Sequence, residues 1–121
     1  MSAEKIYRGY RKMELDLEGK PMTSKCIVTV ESKGRKRLLS PRLDIRRHSP
    51  TGFEWGYGGS GPAQLALALV ADCCGATSAV PHIYQKVKAV IVSRLPHDGW
   101  KLTEDEIRVV VQNAIIDREE L

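Results

Sequence analysis

The chain has 121 residues, 42% hydrophobic and 28% charged, with 19 lysines and arginines against 15 aspartates and glutamates, a formal net charge of +4. That length suits one domain, 1–121, with a core of its own, and the balance of apolar and charged residues excludes an intrinsically disordered chain or a membrane-embedded one. The charge is uneven: residues 1–60 carry 13 basic and 7 acidic side chains, residues 61–121 carry 6 and 8, so an anionic partner is expected to meet the N-terminal half.

Along the chain, Lys5 to Met13 alternates loosely and reads as a first extended segment, and Gly19, Lys20 and Pro21 supply a turn. Lys25 to Glu31 puts Cys26, Val28 and Val30 on one face and Ile27, Thr29 and Glu31 on the other, the two-residue period of a half-buried strand. A turn around Gly34 returns Lys36 to Ser40 antiparallel, and Pro41 ends the pairing. From Pro41 to Gly61 no period survives, and a long ordered loop of this kind inside a small domain is often functional.

Three helices are then expected. Ser60 caps the first, Pro62 sits in its early turn, and AQLALALVADCC runs on to Gly75 with apolar residues nearly all round, as in a central buried helix. Pro81 opens the second, with a stripe of Ile83, Val87, Val90, Ile91 and Leu95 that Pro96 stops. Thr103 and Glu106 form a capping box for the third, whose buried stripe is Ile107, Val110, Val111, Ala114 and Ile115, and Trp100 is expected to anchor it against the core, with a binding role as the alternative. The fold expected is α+β: a small antiparallel N-terminal sheet packed against about three C-terminal helices.

The densest run of unusual residues is SPTGFEWGYGGSGPAQLA, Ser49 to Ala66. Phe53, Trp55 and Tyr57 alternate before Gly58, Gly59, Ser60 and Gly61 lead into a helix that contains Gln64. Aromatic faces stack on flat bases, and open amides at a helix N-terminus hold anions, so with Arg46, Arg47 and His48 this stretch is the candidate binding site for a phosphorylated, nucleotide-like ligand. The competing reading is structural, with the aromatics plugging the core and the glycines making a sharp turn. Neither the phosphate loop ending in Lys-Ser/Thr nor a dinucleotide fingerprint is matched.

A second basic run, Lys33, Arg35, Lys36, Arg37 and Arg42, either offers a nucleic-acid surface or protects a sheet edge from strand addition. Catalytic readings are weaker. Cys74 beside Asp72 ends a buried helix where nothing nearby is poised to lower a thiol pKa. Glu54 and Asp44 are carboxylates that no spacing brings together, and a surface or salt-bridged role is expected for them. The three cysteines, Cys26, Cys73 and Cys74, are odd in number and fit a reducing compartment, with Cys26 and Cys73 as small buried hydrophobes. His48, His82 and His97 are too dispersed for a local metal motif, so no metal and no cofactor are expected. MSAEKIYRGY lacks the regions of a secretion signal, which points to the cytoplasm.

At GFEWGYGGSGPAQLALA the chain resembles an uncharacterised family, a domain of unknown function found in prokaryotic, plasmid and phage genomes. The similarity extends to YRG at Tyr7 to Gly9, to IYQKVK at Ile83 to Lys88 and to LPHDGWKLT at Leu95 to Thr103, so it covers most of the chain. It supplies no catalytic residue. For members carried by phages or mobile elements it implies a role in countering host defence, exercised in the host cytoplasm. The expectation is therefore a non-enzymatic protein that sequesters an anionic ligand. The alternatives are a module that inhibits a host protein complex and a nucleic-acid-binding protein, and any of these leaves room for self-association into a homo-oligomer.

Overall fold

The computed structural model describes residues 4–119. Strands β1 (Ile6–Leu15), β2 (Pro21–Ser32) and β3 (Arg35–Leu38) come first, followed by the loop 39–59 and the helix α1 (Ser60–Cys74). Helix α2 (Pro81–Val90), strand β4 (Gly99–Thr103) and helix α3 (Glu104–Glu119) complete the chain, with short 3-10 turns at Ala76–Ser78 and Val92–Arg94. The strands form one antiparallel sheet in the order β3-β2-β1-β4. This is the α+β arrangement expected from the sequence, with β4 added. No helix among the described residues is long and apolar enough to cross a membrane.

The alternation along the strands decides which face meets the helices. Tyr7, Gly9 and Arg11 of β1 pair with Val30, Val28 and Cys26 of β2, and Tyr7, Val28 and Val30 are at most 2% exposed. Gly9 is opposite Trp100, and a Cβ there would stand 2.3 Å from the indole, so only glycine lets this ring lie across the strand. Trp100 and Leu102 bring β4 into the core, and Lys101 between them is exposed. The sequence places a turn and an anchoring tryptophan here. A five-residue strand with only two inward residues is too short to stand out from the turn that precedes it.

Helix α1 is the centre of the core: every residue from 61 to 71 is buried. Each fully enclosed leucine among them contributes about 1.5–3 kcal/mol of burial. Its N-cap is Gly59 rather than Ser60, whose hydroxyl makes no capping bond; the Ala63 amide bonds the Gly59 carbonyl at 2.9 Å. The capping box of α3 is formed as expected, with the Glu106 amide donating to Thr103 Oγ1 at 3.3 Å and the Thr103 amide to Glu106 Oε1 at 3.1 Å. Helix α2 stops one residue before Ile91, so Val90 turns to solvent and the following 3-10 turn buries Val92 in its place.

Candidate functional site

An inward-facing arginine organises the region between sheet and loop. Arg11 lies on the helix-facing side of β1, where an unpaired charge would be costly, and the loop supplies its partners. Its Nη2 and Nη1 donate to Glu54 Oε1 and Oε2 at 2.8 and 3.1 Å, its Nε donates to the His97 carbonyl at 2.7 Å, and its guanidinium lies 4.9 Å from the centre of the Trp55 ring. The hydrogen bonds from Arg11 hold the Glu54 carboxyl below its ordinary value. Glu54 can sit this close to α1 because residue 61 is glycine: a Cβ there would be 2.7 Å from Glu54 Cβ.

A second set of bonds fixes the first half of the loop. Gln64 is fully buried in α1 and uses all four hydrogen-bonding positions of its amide. Its Oε1 accepts from the His48 and Ser49 amides at 2.7 and 3.1 Å, and its Nε2 donates to the Pro41 and Arg46 carbonyls at 2.6 and 3.1 Å. Four backbone groups of the loop thus end on one side chain, which fixes residues 41–49 without secondary structure.

Between the β1–β2 hairpin and this loop lies a cleft of about 570 Å³. One wall is Glu14 with residues 24–26, and the other is Ser49, Thr51, Gly52, Phe53 and Glu54; Tyr57, Ser60 and Gly61 stand at the start of α1, and Pro41 completes the lining. Tyr57 is 50% exposed, so its ring is accessible at the mouth. Burial, followed by the nearby Glu54 carboxylate, pushes the Cys26 thiol up to about 11, and it stays protonated at neutral pH.

The candidate residues read from the sequence divide into two groups. Phe53, Tyr57, Ser60 and Gly61 line the cleft, with Gly59 capping the helix beside them and Gly58 exposed in the same turn. Trp55 is a correction: it is 1% exposed, its Nε1 donates to the His97 carbonyl at 2.9 Å, and its ring meets Trp100 edge-on at 5.5 Å, so it offers no stacking face. Gln64 is likewise structural, with no atom left for a ligand. Arg46 and Arg47 are exposed but are not in the cleft wall. His48 turns to α2, its Nε2 2.7 Å from the Tyr84 hydroxyl; burial, then Arg46 and Lys88, hold its pKa below the ordinary value.

Other expectations change as well. Arg37 and Arg42 of the second basic run are in ion pairs, Arg37 with Asp72 at 2.6 Å and Arg42 with Asp44 at 3.0 Å. Asp72 also accepts from the Tyr7 hydroxyl at 2.8 Å. Burial alone would raise the Asp72 pKa, but Arg37, Tyr7 and Lys5 together bring it below its usual range. The Cys74 thiol does have neighbours that lower it: the Cys73 thiol first, then Arg108 and Lys5. Cys26 is only half buried. Sequence reasoning missed the hairpin side of the cleft, Glu14, Ser24, Lys25 and Cys26, and Arg11 as the partner of Glu54, while Ser49 and Thr51 fall within the stretch it singled out without being named as site residues. The signal for Arg11 was present, since the alternation of β1 points it inward and a buried cation needs a carboxylate.

A family model described as a family of unknown function (DUF6166) matches residues 7–113. No curated protein and no solved structure matches the chain. With most of its length covered by that model, the chain belongs to the DUF6166 family of unknown function.

Proposed function

We propose that the protein is a non-catalytic receptor for a small molecule with a flat, nucleobase-like ring, bound in the cleft between the β1–β2 hairpin and the loop that leads into α1. The observation that carries this reading is the cleft itself. Its volume of about 570 Å³ lies within the range of roughly 300–1,000 Å³ common for small-molecule sites. Phe53 and the half-exposed Tyr57 supply aromatic faces, and Ser24, Ser49, Thr51 and Ser60 supply hydroxyls. The charged groups in the wall refine the ligand. Glu14 favours hydroxyl and amino donors, Lys25 can meet a single anionic group, and a cluster of phosphates is disfavoured because the arginines expected to bind it stand outside the wall.

Binding rather than turnover is supported by the state of the groups at hand. The Cys26 thiol is protonated, and Glu54 is ionised with both oxygens engaged by Arg11, so neither is poised to exchange a proton near neutral pH. For a chain carried by a phage or mobile element, tight retention of such a molecule would amount to sequestration. Isothermal calorimetry with nucleosides, nucleotides and cyclic nucleotides tests the reading. Saturable heat lost in Tyr57→Ala supports it, and absence of heat and of thermal stabilisation across the panel contradicts it.

A further inference from the structure

The face of the sheet turned away from the helices carries a pattern that folding alone disfavours. Arg8 stands directly opposite Lys101 across the β1–β4 ladder, and Lys12 directly opposite Lys25 across the β1–β2 ladder. Side chains of directly opposed residues share a face about 5 Å apart, and like charges there destabilise the sheet. Lys36 of β3 adds a fifth cation, and Glu31, its cross-strand partner, is the only carboxylate among the paired residues of this face. All five cations are exposed, and among the described residues none of them forms an ion pair. Tyr10 lies between the two like-charge pairs and is 43% exposed; Gly99 opposite it adds no side chain to cover the ring.

We infer that this open sheet face binds single-stranded nucleic acid, with Arg8, Lys12, Lys25 and Lys101 on the phosphates and Tyr10 as a stacking platform for a base. The surface shares only Lys36 with the second basic run, two of whose arginines are held in ion pairs, and its residues alternate with Tyr7, Gly9, Arg11 and Cys26 to the other side of the sheet, Lys25 alone also reaching the lining of the cleft. Charge complementarity selects a polyanion, since an anionic strand relieves both repulsive pairs at once. The exposed ring among the cations selects a nucleic acid over an acidic peptide or a lipid surface, because unpaired bases stack on aromatics in open sheets.

The test is fluorescence anisotropy with labelled oligouridylate and oligodeoxythymidylate of about 12 nucleotides, at about 50 and about 200 mM salt. The wild-type chain is expected to bind with a log–log salt slope of about −2 to −3, from roughly −0.7 per neutralised phosphate. The key variant is Lys12→Glu/Lys101→Glu, which leaves three charges of each sign on the face and turns both repulsive pairs into attractive ones. It is expected to lose affinity at least about tenfold while its Tm stays level or rises, an outcome that a purely structural role for these lysines does not give. Tyr10→Ala is expected to weaken binding about tenfold. No binding by the wild-type chain to either oligonucleotide at low salt overturns the inference, as does full binding by the double variant. Equal binding to polyglutamate or anionic vesicles, with Tyr10→Ala without effect, overturns it in favour of a general polyanion surface.

Discussion

Arg11 and Glu54 meet through two parallel hydrogen bonds of 2.8 and 3.1 Å, and this pair ties the first strand to the loop that forms the cleft wall. The Arg11 side chain is 12% exposed, so the pair is shielded on the cation's side. Removing one partner leaves the other charge without compensation. Arg11→Ala is expected to cost about 3 kcal/mol, and Glu54→Gln about 1–2 kcal/mol. A double-mutant cycle by urea denaturation checks the coupling, which is expected to be favourable by at least about 1 kcal/mol.

Gln64 makes a sharper case, because its replacement by an apolar residue of similar size keeps the packing and removes only the hydrogen bonds. Gln64→Leu strands the His48 and Ser49 amides and the Pro41 and Arg46 carbonyls. The expected cost is about 3 kcal/mol or more. Hydrogen exchange should quicken first at residues 48 and 49, before global unfolding is detectable.

The glycines on either side of the α1 N-terminus are not equivalent. At Gly61 a Cβ would be 2.7 Å from Glu54 Cβ, whereas at Gly58 nothing lies within 4 Å. Gly61→Ala is expected to destabilise by about 1–3 kcal/mol and Gly58→Ala to stay within about 0.5 kcal/mol of the parent. Thermal melts of the two variants separate them, and equal Tm values would show that the Glu54 approach is not constrained.

Acid should weaken the fold in two stages. Burial holds the His48 pKa down, and the carboxyls of Glu54, Asp72 and Glu104 are also lowered, through Arg11, through Arg37 and Tyr7 against the effect of burial, and through the Lys5 amide. For each group the folded state prefers the deprotonated form. The stability each adds is therefore full above its ordinary pKa and is lost as pH falls towards the lowered one. Urea midpoints are expected to be level above about pH 7, to decline below about 6.5 with His48, and to fall steeply below about 4 with the carboxylates. Glu54→Gln should flatten the second stage in part.

How much of this was legible in the sequence depended on periodicity. Val28 and Val30, the Thr103–Glu106 box and the apolar length of α1 each carry a local pattern that the fold obeys. The site was harder, because the loop 39–59 has no period and its shape is set by partners far away in the chain: Gln64 for residues 41–49 and Arg11 for Glu54. Trp55 and Tyr57 look alike as sequence, two aromatics in a glycine-rich run. Only the packing of Trp55 under Arg11 and against Trp100 distinguishes the buried ring from the exposed one. Arg46 and Arg47 suggested an anion site by proximity in sequence, but the His48 side chain turns to Tyr84 and neither arginine enters the cleft lining.

The measurement that tests the cleft as a binding site most directly is an amide NMR titration of the intact chain with the tightest-binding member of the nucleoside and nucleotide panel. Resonances of Thr51, Phe53, Tyr57, Ser60 and Gly61 are expected to shift together and saturate, with those of Arg46 and Arg47 much less affected, and Tyr57→Ala is expected to abolish the response. Shifts confined to Arg46, Arg47 and the β2–β3 turn, or no saturable shift at the cleft residues, would contradict the assignment.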